Sequence, residues 1–245
     1  MRNSYKGIEI NCAKNTHEVV FDLITKNKNA KIIDIPCGYG AFIKRLIDAE
    51  YQEVYGVDIQ NILKINHSMF FNGSMNQRLS LDSCSIDTAV CIDGIEHIDE
   101  QFQFIRELNR ILVKNGELII STPNISSLRS RWRWLLSGHH NKCKAPLDEN
   151  NPNPLHHIGM ISFQELRYML HSNGFEITKI TTNRVKLGSY PFAIILPIVF
   201  LYTALAYRKS SKREGNRKIN KQIFSSMFSP AILFGESLII KAIKK

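Results

Sequence analysis

Ile33-Asp34-Ile35-Pro36-Cys37-Gly38-Tyr39-Gly40 is the stretch whose reading decides the fold. Lys31-Ile32-Ile33-Asp34-Ile35 reads as a buried parallel strand, and Ala41 to Ala49 as the helix that follows it. The two glycines fall where the strand turns into the helix. Glycine there lets the backbone come close to a ligand, and the helix N-terminus offers free N–H groups and a positive dipole to a carboxylate or phosphate. A turn of this kind is weak evidence by itself, so its neighbours matter.

Outward from the turn, strands and helices alternate. Glu53 to Asp58 reads as a second strand, followed by a short helix from about Gln60, and Ser68 to Phe71 as a short third strand. Ile86 to Ile92 is the fourth, and a helix from about Asp99 to Val113 carries Phe102, Ile105, Leu108 and Leu112. The turn at Asn115-Gly116 introduces a fifth strand, Glu117 to Ser121. Before the first strand, a helix over about 15–25 has His17, Val20, Phe21 and Ile24 on one face. After the fifth come a Trp/Arg-rich helix from about Ser126 to Leu136 and a polar loop with Pro146, Pro152 and Pro154. Ser162-Phe163-Gln164-Glu165 is a capping box opening a helix that stops at Asn173-Gly174. Phe175 to Thr181 and Ser237 to Ile243 complete the strands. This pattern specifies an α/β fold with a parallel, doubly wound sheet covered on both faces.

The totals are compatible with that. A chain of 245 residues accommodates one large α/β domain, or one domain with a sizeable insertion. Hydrophobic residues at 44% and charged ones at 22% exclude a disordered chain. Five cysteines (Cys12, Cys37, Cys84, Cys91, Cys143) at irregular spacing, with no CxxC pair, argue against a disulfide framework and a structural zinc site. Met1 to Asn15 is polar and lacks an apolar signal core, so a cytoplasmic location is expected, at the inner face of the membrane if the insertion described below meets the bilayer.

Asp58 gives the glycine turn its meaning. It ends the second strand about 20 residues beyond the turn, where an acid accepts both hydroxyl hydrogens of a ribose. The pair specifies an adenosine-containing cofactor. A dinucleotide site wants a third glycine for close helix–strand packing over a pyrophosphate. Here Ile43 stands at that third position and Pro36 replaces the first glycine. Asp34 is a poor neighbour for pyrophosphate and a good one for the ammonium of a methionine. S-adenosylmethionine (SAM) fits; a nicotinamide dinucleotide fits badly.

At these residues the chain resembles the class I SAM-dependent methyltransferases. "IIDIPCGYG" is similar to their first motif and "VYGVDI" to their second; "SIDTAVCIDGIEHIDE" resembles the fourth-strand segment. "LNRILVKNGELIISTPN" and "HHIGMISFQELRYMLHSNGFEITKI" resemble the stretches leading into the fifth and through the sixth strand. The resemblance covers roughly 15–182 and the final strand. It implies a Rossmann-like, seven-stranded sheet with six parallel strands and an antiparallel last one. Residues 1–187 and 236–245 then form the SAM-binding domain, and 188–235 an apolar and basic insertion between strands six and seven. The family often has an acid after the third strand, contacting adenine, where this chain has Gly73-Ser74-Met75. The expected cofactor contacts are Asp34, Pro36, Cys37, Gly38, Gly40, Asp58, Ile59, Ser74, Met75 and Asp93.

Methyl transfer from a sulfonium relies mainly on alignment, with a base or metal added when the acceptor is a weakly acidic hydroxyl. Asp93-Gly94-Ile95-Glu96-His97 lies at the carboxyl end of the fourth strand, where such sheets bind ligands. Offsets of three and four place Asp93, Glu96 and His97 near one another if a helical turn opens there. The element resembles the Glu-x-x-Glu-His motif of ubiquinone-biosynthesis O-methyltransferases and of small-RNA terminal 2′-O-methyltransferases, with Asp93 in place of Glu. In the latter a histidine follows the "TPN" element, and His157 matches it. Three readings stay open: a Mg²⁺ or Mn²⁺ site of Asp93, Glu96, His97 and His157; catalysis by His97 with Glu96 as base or orienting groups; or a structural role.

The insertion bears on the acceptor. Ser189 to Tyr207 has no charged residue over 19 positions, and seven basic residues against one acid follow between Arg208 and Lys221. Both flanking segments read as neighbouring strands, so a single membrane crossing is excluded. Pro191 and Pro197 favour a broken element, with a second arm over about Ile219 to Phe234. Interfacial association through 189–207 and 208–221, a soluble lid or dimer surface, and a membrane hairpin are the alternatives. The leading expectation is O-methylation of a hydroxyl on a glycan or lipid-linked small molecule, in line with a looser resemblance to bacterial surface-polysaccharide methyltransferases. RNA 2′-O-methylation and a catalytically inactive SAM-binding subunit are the alternatives. Against nucleic acid, the basic residues cluster beside the apolar segment rather than in a separate module.

Overall fold

The computed structural model describes residues 3–143, 145–214 and 217–245, without the side chains of 211–214. Its elements run β1 (Ser4–Tyr5), β2 (Ile8–Glu9), α1 (Thr16–Leu23), β3 (Lys31–Asp34), α2 (Ala41–Asp48), β4 (Glu53–Asp58), β5 (Phe70–Asn72) and β6 (Ile86–Ile92). After a 3₁₀ turn at Ile95–His97 come α3 (Gln101–Ile111), β7 (Leu112–Pro123), α4 (Leu128–Ser137), α5 (Phe163–Ser172) and β8 (Phe175–Thr181). A 3₁₀ segment, Leu187–Ile195, leads to α6 (Leu196–Glu214), α7 (Arg217–Met227), α8 (Pro230–Phe234) and β9 (Ser237–Lys244).

Seven strands form one sheet in the order β5-β4-β3-β6-β7-β9-β8. All neighbours from β5 to β7 pair in parallel, and β9 runs antiparallel to both β7 and β8. The expected arrangement of six parallel strands and an antiparallel last strand is therefore present. Chain order reverses between β3 and β6, which opens a crevice at their carboxyl ends. Helices cover both faces because the central strands are apolar on both. Phe104, Ile105, Leu108 and Ile111 of α3 and Leu166, Met169 and Leu170 of α5 bury against one face; Val20 of α1 and Phe42, Ile43 and Leu46 of α2 bury against the other.

Several local expectations are corrected. No helix forms from Gln60. Instead the Lys64 N–H bonds the Tyr39 carbonyl at 3.0 Å, holding 60–69 extended across the glycine turn. The third strand begins at Phe70 rather than Ser68. Phe102 is exposed and meets Tyr168 edge-on, and Phe104 is buried in its place, whereas Ile105, Leu108 and Leu112 are buried as expected. The hairpin of β1 and β2 escaped notice because two-residue strands carry no periodicity. The capping box holds as read: Ser162 and Glu165 each bond the other's backbone N–H.

The insertion differs most. Pro191 sits inside the 3₁₀ segment and Pro197 in the first turn of α6, where a missing N–H costs nothing. The prolines change the helix type without breaking it, and Leu187–Ser210 is one 24-residue helical element. The return arm is two helices, broken at Ser229-Pro230. It folds back through the rings of Phe200, Phe224 and Phe228, and Gln164 Nε2 donates to Tyr207 Oη at 2.7 Å to tie α6 to α5.

Candidate functional site

The turn after β3 is built by backbone geometry. Gly38 has φ +51° and Gly40 φ +82°, left-handed values that side chains rarely adopt. A Cβ on Gly40 would also lie 2.8 Å from Leu63 Cδ2, whereas one on Gly38 would project into open space. The turn therefore presents bare backbone and the N-terminus of α2 to that space.

Asp58 joins the ends of three strands. Its Oδ2 accepts the Gly38 N–H at 2.8 Å and its Oδ1 the Ile59 N–H at 2.8 Å, while its carbonyl accepts the Gly73 N–H at 2.9 Å. Each carboxylate oxygen keeps one free lone pair, enough for two ribose hydroxyls. Ile59 is exposed beside it. Ser74 caps its own turn by accepting the Asn76 N–H at 3.2 Å, and Met75 packs half-buried under β5.

Asp34 lies buried beneath the turn, where desolvation, and then the charge of Asp58, push its carboxyl well above the usual carboxylate range. A cation placed there would relieve both effects. Cys37 is buried, and burial pushes its thiol up, so it packs rather than reacts. Pro36 packs against Gly94, where any added Cβ would collide with the proline ring. The turns after β3 and β6 are thus in direct contact.

Asp93 has φ +45°. Its N–H bonds Ser121 at both the carbonyl (3.1 Å) and Oγ (3.0 Å), and Ser121 Oγ donates to Asp93 Oδ1 at 2.6 Å. Strain of this kind persists only where surrounding bonds fix it, and it concentrates at functional sites. Burial raises the Asp93 carboxyl, opposed by the Ser121 bond.

Glu96 is fully buried; Thr122 Oγ1 donates to its Oε2 at 3.1 Å, and its Oε1 has no partner. Burial, and then the charge of Asp93, push this carboxyl far up. His97 Nδ1 lies 3.1 Å from the His156 carbonyl, which places the ring proton on Nδ1 and leaves Nε2 as the basic atom. Burial lowers its pKa, so the ring is neutral at physiological pH. His157 meets His97 edge-on at 4.7 Å, its Nδ1 buried without a partner. Burial, and then His97, lower its pKa to about 4.

Ligand atoms of Glu96, His97 and His157 all lie within 4.8 Å of one another. Glu96 and His157 each carry a buried atom without a hydrogen-bond partner, and a carboxylate with two imidazoles at this separation is a fitting donor set for a divalent ion, one that suits Mn²⁺ better than oxygen-seeking Mg²⁺. Asp93 is turned toward Ser121 instead and is not in this cluster. The 156–159 loop is brought in by bonds that sequence spacing does not announce. Gly159 N–H donates to the Glu96 carbonyl at 2.9 Å, and Gln101 Nε2 bridges the carbonyls of Ile95 (2.8 Å) and Gly159 (2.6 Å).

Ser121 and Thr122, which the sequence offers only as part of a motif, hold the carboxylates of Asp93 and Glu96. Lys142 was not singled out at all. Its charge acts on Asp93, Glu96 and His157, and its Nζ lies 3.8 Å from Glu236. A lysine in a polar loop carries no signal of that placement.

The comparisons agree with this arrangement. A family model described as a methyltransferase domain matches residues 9–180. A protein of Mycobacterium tuberculosis (strain H37Rv), described as a probable SAM-dependent methyltransferase, is 29% identical over 116 residues, 44% of this chain and 41% of that protein. Another so described, from Mycolicibacterium smegmatis, is 26% identical over 169 residues, 66% of this chain and 58% of that protein. The chain thus spans about half the length of the curated relatives it matches. Among solved structures, a SAM-dependent methyltransferase from Thermotoga maritima superposes with a TM-score of 0.58 at 18% identity, covering 94% of this chain and 88% of that one. One from Mesorhizobium loti gives 0.54 at 12% identity, covering 93% and 96%. With its glycine turn, Asp58 bonded to that turn from the end of β4, and a methyltransferase model matching most of its length, the chain belongs to the class I SAM-dependent methyltransferases.

Proposed function

We propose that the protein transfers the methyl group of SAM to a hydroxyl oxygen of a glycan or lipid-linked small molecule. The observation that carries this reading is the Glu96, His97 and His157 cluster beside the cofactor turn. A neutral amine attacks through its lone pair and can release its proton after the new bond has formed, whereas a hydroxyl must lose its proton as the bond forms and depends more on a positioned base.

Asp34 and the Gly38–Gly40 turn hold the aminoacyl end of the cofactor, and Asp58 holds its ribose. Bound there, SAM supplies a methyl on a positively charged sulfur. The acceptor oxygen attacks that methyl as the carbon–sulfur bond breaks, and the hydroxyl proton passes to neutral His97 at Nε2. The site residues mainly align these partners, and proton transfer to a positioned base contributes about 10²- to 10⁴-fold. In the alternative in which a divalent ion is held by Glu96, His97 and His157, His97 Nε2 would be a ligand rather than the base, and the ion would lower the hydroxyl's own pKa so that its proton passes to water.

Transfer of labelled methyl from SAM to a bacterial membrane extract, compared with small RNA, tests the proposal. Label in alkali-stable ether products of the lipid or glycan fraction is the expected result. Label confined to RNA ribose, or to amines, would overturn it.

Asp34 predicts how cofactor binding depends on pH. The ligand ammonium requires the ionised carboxylate, and the pKa of this carboxyl in the free protein is raised. Lowering the pH through that raised value should therefore weaken SAM binding, beginning well above the usual carboxylate range. Asp34→Asn should bind weakly at every pH and flatten the profile in calorimetry. An unchanged slope in that variant would remove Asp34 from the ammonium site.

A further inference from the structure

We infer that the protein docks on an anionic membrane interface through a surface assembled from α4 and the insertion. On α6, Ile198, Leu201, Tyr202, Leu205, Arg208 and Lys209 recur at offsets of 3, 4 and 7, which places them on one helical face. All six are exposed, and Ile194 continues the stripe with 82% of its surface open. The stripe is apolar for most of its length and cationic where it ends. Arg217, Lys218 and Lys221 of α7 add exposed charge beside that end, and among the described residues none of these five cations is paired with a carboxylate.

A second element, over fifty residues earlier in the chain, extends the surface. Trp134, Leu135 and Leu136 at the C-terminal end of α4 are exposed, the two leucines at 69% and 68%. A shallow cleft of 330 Å³ joins the two parts, with Trp132, Arg133 and Leu136 of α4 on one side and Phe192 of the insertion on the other. Apolar exposure this continuous, rimmed by cations, marks an interaction site, and large apolar groups interleaved with unpaired Lys and Arg fit acyl chains below phosphate headgroups.

The topology excludes a crossing. Thr181 of β8 pairs with Ile239 of β9, and Val185 with Gly235, so the insertion leaves and rejoins the sheet at one place. Its outward helical element has 24 residues, enough to cross. The return helix α7 has 11 residues, about 16 Å at 1.5 Å each, against a hydrocarbon core of about 30 Å. The element therefore lies in the plane of the interface. Asn141 lines the same cleft, and its neighbour Lys142 acts on Glu96 and His157, so docking would bring the bilayer to the loop that borders the reacting groups.

Co-sedimentation of the full chain with vesicles of phosphatidylcholine alone, or with phosphatidylglycerol added, tests this. Binding at least 10-fold stronger to the anionic vesicles is expected. Ile198→Asp with Leu201→Asp, and separately Leu135→Asp with Leu136→Asp, should each lower partition at least 10-fold while leaving SAM affinity and thermal midpoint unchanged. No partition of the intact chain would overturn the inference. Wild-type partition of the Leu135/Leu136 variant would overturn the composite surface. A dimer in solution that these same substitutions dissociate would assign the face to a second copy instead.

Discussion

Replacing Asp58 with alanine should reduce SAM affinity by about 10²- to 10⁴-fold, the equivalent of two hydrogen bonds to a charged group at about 1.5–3 kcal/mol each. The reasoning starts from the free lone pairs on Oδ1 and Oδ2, which remain after each oxygen has accepted one backbone N–H. The substitution removes both ribose acceptors. It also leaves the Gly38 N–H without its partner, so the turn loses a bond that fixes its shape. Ligand at 100 times Kd stabilises a folded protein by about 2.7 kcal/mol, which raises the melting temperature of a chain this size by roughly 5–11 °C. That shift should be present in the wild type and absent in Asp58→Ala, with the melting temperatures of the free proteins close to each other. A full thermal shift in the variant would place the ribose elsewhere.

His97→Ala should lower kcat by about 10²- to 10⁴-fold with SAM affinity unchanged, because the role proposed for the imidazole is to take the acceptor's proton, not to bind the cofactor. The ring is neutral in the free protein, so wild-type activity should fall as pH drops through the lowered pKa of His97 and protonation removes the base. Mn²⁺ separates the two chemical roles of the cluster. Burial pushes the Glu96 carboxyl toward its protonated form, so binding of an ion at its oxygens should displace a proton. Calorimetry in two buffers of different ionisation enthalpy should then register the release of about one proton per Mn²⁺ bound, lost in Glu96→Gln. Full turnover after chelation, with His97→Ala still inactive, would leave proton abstraction by His97 as its role. Turnover unaffected by His97→Ala would remove the residue from the reaction.

The cofactor half of the site was legible in the sequence because it is local. Gly38, Gly40 and Asp58 depend on one strand, one turn and the next strand, and the parallel pairing of β3 with β4 then aligns them. The period-two and helical patterns gave the sheet and most helix boundaries for the same reason. The reacting half depends on distant segments. His157 was recognised through a family resemblance, but its approach to Glu96 rests on Gln101 and Gly159, whose bonds span nearly 60 positions. Asp93 shows the limit of spacing arguments. Offsets of three and four put it with Glu96 and His97, yet its left-handed backbone and the Ser121 hydroxyl turn the carboxylate away. The failed helix after Gln60 has the same origin, since the Tyr39 carbonyl and the hydrophobic contacts of Leu63 and Ile65 override local preference.

The position of the helical excursion inside the β8–β9 hairpin also makes it an exchangeable module. Seven rungs of pairing between β7 and β9 hold the second of these strands in register whatever lies outside the sheet. Closing a loop costs only about 0.6 kcal/mol more for each doubling of its length, so the outer part of the excursion, where α7 buries no residue, can be shortened, extended or replaced at small cost to folding, whereas Ile232 and Leu233 of α8 belong to the core and must stay. A chain of this architecture can thus acquire a new acceptor, or a new cellular address, by recombination at two adjoining points without disturbing the residues that handle the methyl donor.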